Sequence, residues 1–224
     1  MKKLIMIISL MVAFSLMAAP AIMADTISSG DYVKLIAYNG LENAGIMTYD
    51  VSHDGGIHVA FIYDTFCIQD NVYILANTWY PIASVSTTVG KFDSPPEAGT
   101  GPLAGAVDYL FYRYKSGTGA YDLSSQAAQA DFQQFLWSIQ KTGPSYSPPS
   151  TDKWYIDYVA YNNPSNGLQH SWGTEVINIE GFDVTGKPID IQNQLYNQVP
   201  EPVTILLLGI GLIGVAGIRK KYKG

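Results

Sequence analysis

Val203 to Ile218 run for 16 positions without a charged side chain, and Arg219, Lys220, Lys221 and Lys223 follow at once. At 1.5 Å per residue such a helix spans about 24 Å, somewhat short of the roughly 30 Å hydrocarbon core of a bilayer. A basic cluster beside an apolar helix stays on the cytoplasmic side. Residues 203–218 therefore read as a single transmembrane helix, and the chain before it folds on the outer side of that membrane. The other end fits the same plan. Lys2 and Lys3 precede the apolar run Leu4 to Met17, and Ala19, Ala21 and Ala24 follow. That is the layout of a secretory signal peptide over residues 1–24, cut after Ala24 or Ala21.

Between the ends, residues 25–186 read as one exported globular domain and 187–198 as a spacer toward the membrane. The stretch 25–198 holds eighteen of the nineteen acidic and seven of the thirteen basic residues, a net charge of −11. Such a body repels nucleic acid and anionic lipid. The single cysteine, Cys67, excludes an internal disulfide and a cysteine zinc cluster. It lies in an apolar stretch, where a lone thiol also serves as a small buried hydrophobe.

The first half has β patterning. Tyr32–Tyr38, Ile46–Val51, Ile57–Ile68, Val72–Leu75 and Ile82–Val89 are expected strands, with turns at Asn39-Gly40 and Asp54-Gly55-Gly56. Ser94–Gly101 is an expected loop. Pro102 suits the first position of a helix that continues over Leu103–Tyr114. A second helix starts from Ser124 as N-cap and ends at Thr142-Gly143-Pro144. Its apolar stripe is Ala128, Phe132, Phe135, Leu136 and Ile139, bordered by Gln126, Gln129, Gln133 and Gln140. Residues 154–180 mix aromatic and polar stretches, with a late strand at Glu175–Ile179. The fold class expected is α+β: an antiparallel β-sheet or sandwich with one or two packed helices, flanked by the two terminal apolar helices.

The last 26 residues resemble a known signal. Val199, Pro200, Glu201 and Pro202 form a short box, followed by the apolar run and the basic cluster Arg219, Lys220 and Lys221. This resembles the bacterial PEP-CTERM sorting signal over 199–224. The two prolines keep the box extended and block helix continuation. The resemblance implies processing by an exosortase at the cytoplasmic membrane, in a Gram-negative bacterium with an exopolysaccharide or biofilm matrix. The protein would be membrane-anchored before processing, and at the cell surface or extracellular afterwards.

A second resemblance lies in the body. Phe66-Cys67-Ile68 is followed about 65 residues later by Gln133-Gln134-Phe135-Leu136-Trp137. The pair is similar to the Cys–Gln thioester domain of bacterial surface adhesins, over roughly residues 30–140. Gln133 stands four before Trp137 as in the family, whereas Phe135 replaces a small alanine. The resemblance implies an internal thioester between Cys67 and Gln133, with Phe66, Ile68, Leu136 and Trp137 as supporting residues. Such a bond would be an electrophile that a target amine or hydroxyl opens.

Other constellations are weaker. His53, His58 and His170 suggest a metal only weakly, because the two nearest, five apart around a Gly-Gly turn, lack a clear carboxylate constellation, and no cofactor or metal is expected. Gly99, Gly101 and Gly105 imitate a nucleotide loop, but Pro102 intrudes. No GxSxG or HExxH occurs. The expected function is a non-enzymatic exported envelope or matrix protein. Two alternatives stand beside it: a covalent adhesin using Cys67 and Gln133, and a secreted carbohydrate-binding module or hydrolase. Trp79, Trp137, Trp154 and Trp172 would serve the binding module, and carboxylates among Asp64, Asp70, Asp108 and Asp131 the hydrolase.

Overall fold

Alternating burial builds the sheet. In β1 (Tyr32–Leu41), Val33 and Leu35 point inward while Tyr32 and Lys34 stay half-exposed, as period two demands. β1 pairs antiparallel with β2 (Ala44–Ser52) up to Leu41 opposite Ala44. Asn39-Gly40 therefore lies inside the ladder rather than at the turn. The computed structural model describes residues 26–41, 44–69, 74–90, 101–142, 146, 148–182, 185 and 188–198. The expected signal peptide, the transmembrane helix 203–218 and the box Val199, Pro200, Glu201 and Pro202 lie outside these residues, as do Arg219, Lys220 and Lys221. Among the described residues no helix is long and apolar enough to cross a membrane.

The Asp54-Gly55-Gly56 turn forms as expected. The Asp54 carboxylate accepts the N–H groups of Ile57 and His58. Gly56 has φ +86°, and a Cβ there would fall 2.8 Å from the Trp79 ring, so only glycine fits. The turn also shortens the next strand: β3 is Phe61–Thr65 rather than Ile57–Ile68. β4 (Trp79–Ser86) and β5 (Thr88–Val89) divide the expected Ile82–Val89 strand. Val72 lies outside the described residues, and Ile74–Leu75 carry no strand.

β6 (Gly101–Pro102) pairs with β5, so Pro102 is extended rather than helical. Gln140 explains this: its side chain donates to Pro102 O and accepts from Ala104 N, which delays helix α1 to Gly105–Lys115. Helix α2 is Gln126–Thr142, and its cap is Ser125 rather than Ser124, accepting the Ala128 N–H at 3.1 Å. A third helix, α3 (Lys153–Asn162), occupies part of the mixed aromatic stretch. Its aromatic residues hide the helical period, because Trp154, Tyr155 and Tyr158 all pack on Phe135. Arg113 on α1 and the Tyr121 hydroxyl both bond Asp157 on α3.

β7 (Thr174–Phe182) contains the expected late strand. The segment 187–198, expected as a spacer, is instead part of the sheet as β8 (Pro188–Asp190) and β9 (Gln194–Asn197). Its polar letters concealed it, because Gln192, Asn193, Gln194 and Asn197 are buried and hydrogen-bonded. The sheet runs β3-β2-β1-β4-β7-β8 with β9 also on β7, and every pairing is antiparallel. β9 then bridges Cys67, just beyond β3, so the ladder returns toward its own start. These elements form an α+β unit within Ile27–Val199.

Two apolar clusters result. One joins the helices to Phe66, Ile68, Val176 and Leu195, and the other joins Cys67 to strand residues such as Val33, Tyr49, Ile177 and Tyr196. Desolvation holds Tyr49 and Tyr63 well above the usual tyrosine range and pushes Tyr114 up to about 12. A folded value raised above the unfolded one gives stability that is complete below about pH 10 and lost as pH climbs toward the folded value. Each fully buried tyrosine removes about 1.4 kcal/mol per pH unit across that window. Urea midpoints are therefore expected to be insensitive to these tyrosines up to about pH 10 and to drop steeply above it. An unchanged midpoint through about pH 12 would mean that these phenols already meet water.

Candidate functional site

Cys67 and Gln133 lie 66 positions apart in the chain, and the fold brings them into contact. Phe66 and Ile68 pack in the helical cluster while Cys67 belongs to the strand cluster, so period two turns the sulfur away from its neighbours' side. Helix α2, which packs on β1 and β2, brings Gln133 and Trp137 to Cys67 from one face, four residues apart. Phe132, Phe135 and Leu136 pack in the helical cluster. Phe135 is accommodated there, against Trp154 and Tyr158, and its bulk fills the space beside α3.

The Gln133 side chain is held at both ends. Its Oε1 accepts the Gly45 N–H at 3.1 Å, and its Nε2 lies 3.0 Å from Cys67 Sγ and donates to Cys67 O. A backbone donor on one side and a backbone acceptor on the other fix which way the amide points. Trp137 Nε1 donates to the same Cys67 carbonyl at 3.1 Å. Cys67 and Gln133 are both fully buried, whereas the helical period alone sets Gln133 on the half-sheltered border of the stripe. The carbon a thiolate would attack is bonded directly to Nε2, so it lies within one C–N bond, about 1.33 Å, of an atom touching the sulfur. The Gly45 N–H points at the oxygen on which charge would build. A thiol and a side-chain amide, the two groups that nucleophilic acyl transfer would join, are thus in contact.

Gly45 itself was not legible as a functional residue. It has φ +142° inside a strand, a conformation that favours glycine and that signals a close backbone approach. Tyr38 and Tyr49 also feel the site. Burial first, and the neighbouring Cys67 second, push the Tyr38 hydroxyl up to about 12 and hold Tyr49 well above the usual tyrosine range.

The other candidates hold structural roles. His53 pairs with Asp31, and His58 with Asp54, whose carboxyl is held well below the usual range by bonds from His58 and Ser52. His170 packs on Trp172 at 4.3 Å. Among the described residues no group of three or more His, Cys, Asp or Glu is placed to hold a metal ion. Asp108 accepts the N–H groups of Trp172 and Thr174, Asp64 accepts the Thr48 hydroxyl, and Asp131 accepts the Tyr146 hydroxyl. Asp70 and Gly99 lie outside the described residues. Trp154 is core, and Trp79 lies under Lys34.

A family model described as the PEP-CTERM protein-sorting motif matches residues 198–221. No curated protein and no solved structure matches the chain, and that family match touches neither Cys67 nor Gln133. The chain carries a PEP-CTERM sorting signal: it is an exported protein, held at the membrane by that signal before an exosortase processes it.

Proposed function

We propose that the exported body is a covalent-capture module of the cell surface or biofilm matrix, acting once rather than turning over as an enzyme. Cys67 sulfur attacks the Gln133 side-chain carbonyl. The carbon–sulfur bond forms, the carbon–nitrogen bond breaks, and the thiol proton leaves with the nitrogen as ammonia. A target amine or hydroxyl, on a protein or on exopolysaccharide, later attacks the thioester. Its nitrogen or oxygen bonds the carbon, the sulfur departs, and the proton released by the nucleophile ends on Cys67. The observation that carries this reading is Gln133 fixed between the Gly45 N–H and Cys67, with Nε2 3.0 Å from the sulfur and both side chains sealed from water.

Intact mass of the purified chain tests it. The expected result is a mass lower by one ammonia than the sequence requires, and a Cys67 that resists thiol reagents. Methylamine should then add to Gln133 and release the thiol, and Cys67→Ala should abolish both signatures. A full-amide mass with Cys67 completely labelled after unfolding overturns the reading.

A further inference from the structure

Cys67 and Gln133 are both fully buried, so whatever opens a thioester between them must first pass a covering side chain. The register of β1 supplies one. Val33 and Leu35 face the strand cluster that holds Cys67, and strict alternation would send position 37 there next. It does not. Leu35 pairs with Tyr49 and Ala37 with Thr48, so Ile36 falls between the two pairs as an extra residue. This bulge hands the inward place to Tyr38.

Tyr38 pairs with Met47, and residues opposite one another in an antiparallel pair share a face. Met47 belongs to the same cluster as Cys67 and stands two residues from Gly45, whose N–H holds Gln133. Next to Tyr38, the Asn39 side chain accepts a hydrogen bond at 2.9 Å from Gln126, the first residue of the helix that carries Gln133. Tyr38 thus lies on the sulfur's face of the sheet, yet it is 40% exposed. A ring on the inner face that still meets water stands at the rim. Its raised hydroxyl stays neutral at neutral pH, so it screens by bulk rather than by charge. Resting on the thioester reading, we propose that Tyr38 is a specificity-determining residue of the site, its ring admitting slender nucleophiles and holding back branched ones. The bonding steps are unchanged: the amine nitrogen joins the Gln133 carbon, and the sulfur leaves and takes up the proton that the amine releases.

Two primary amines read this role on the purified full chain: methylamine, and neopentylamine, whose carbon carries a tert-butyl group. The ratio of their capture rates, neopentylamine over methylamine, cancels differences in thioester content and intrinsic reactivity between chains. Tyr38→Ala should raise the ratio about tenfold, the scale of steric discrimination at a pocket. Tyr38→Phe should keep the parent ratio, and Tyr38→Trp should lower it. Ile62→Ala, at an exposed position on the opposite face of β3, should leave it unchanged. A folded Tyr38→Ala chain with the parent ratio overturns the proposal, as does a Tyr38→Phe or Ile62→Ala chain that shifts as far as Tyr38→Ala. If Tyr38→Ala does not fold, a parent ratio for Tyr38→Trp overturns it. A parent chain with no ammonia deficit refutes the thioester itself, a result distinct from these.

Discussion

Replacing Gln133 by leucine removes methylamine capture completely and lowers the unfolding free energy by several kcal/mol. Two losses add. The proposed thioester would close a loop between positions 66 apart, worth about 4 kcal/mol on the chain-entropy account. Leucine also strips the Gly45 N–H of its side-chain acceptor inside a dry site. A buried N–H left unpaired costs about 1–3 kcal/mol. Cys67→Ala loses the link but keeps the Gln133 bonds to Gly45 and to the Cys67 backbone. Urea denaturation should therefore rank the parent above Cys67→Ala, and Cys67→Ala above Gln133→Leu. Domains of this size hold only about 5–15 kcal/mol, so the leucine variant should approach the threshold of folding. Equal midpoints for all three chains would mean that no link exists and that the Gly45 contact contributes little.

The contrast between Cys67 and Gly45 explains how far this site could be read from the letters. Cys67 and Gln133 carry reactive groups at a recognisable spacing, and the strand and helix that present them have strong periodic patterns. Gly45 contributes only a backbone N–H, which no letter reveals. Its place at the site comes from a pairing made across 88 residues. Helix α3 was hidden for a related reason. Its aromatic residues have weak helix preference, and tertiary packing on Phe135 decides the outcome. Pro102 shows a long-range hydrogen bond outweighing a local cap preference.

Ending the chain at residue 186 should abolish cooperative folding, whereas ending it at Gln198 should preserve both the fold and the ammonia deficit. The first truncation removes Ile191, Leu195 and Tyr196, all buried. The side chains of Ile191 and Leu195 alone account for about 1.5–3 kcal/mol each. It also removes the bonds that hold the cysteine segment: Leu195 N to Phe66 O at 3.0 Å and Ile68 N to Asn193 O at 2.9 Å. Ile179 N and the Gln69 side chain lose Asn193, and Ile27 N loses the Tyr196 hydroxyl. Those losses together match or exceed the whole stability of a typical domain. The second truncation leaves every described element whole. The folded body runs to Asn197, which is buried, and the sorting motif begins at residue 198. Processing on the N-terminal side of Asn197 would therefore unravel β9 and with it the bridge to Cys67. A chain ending at 186 that still melts cooperatively, and still lacks one ammonia, would show that β9 is dispensable to the site.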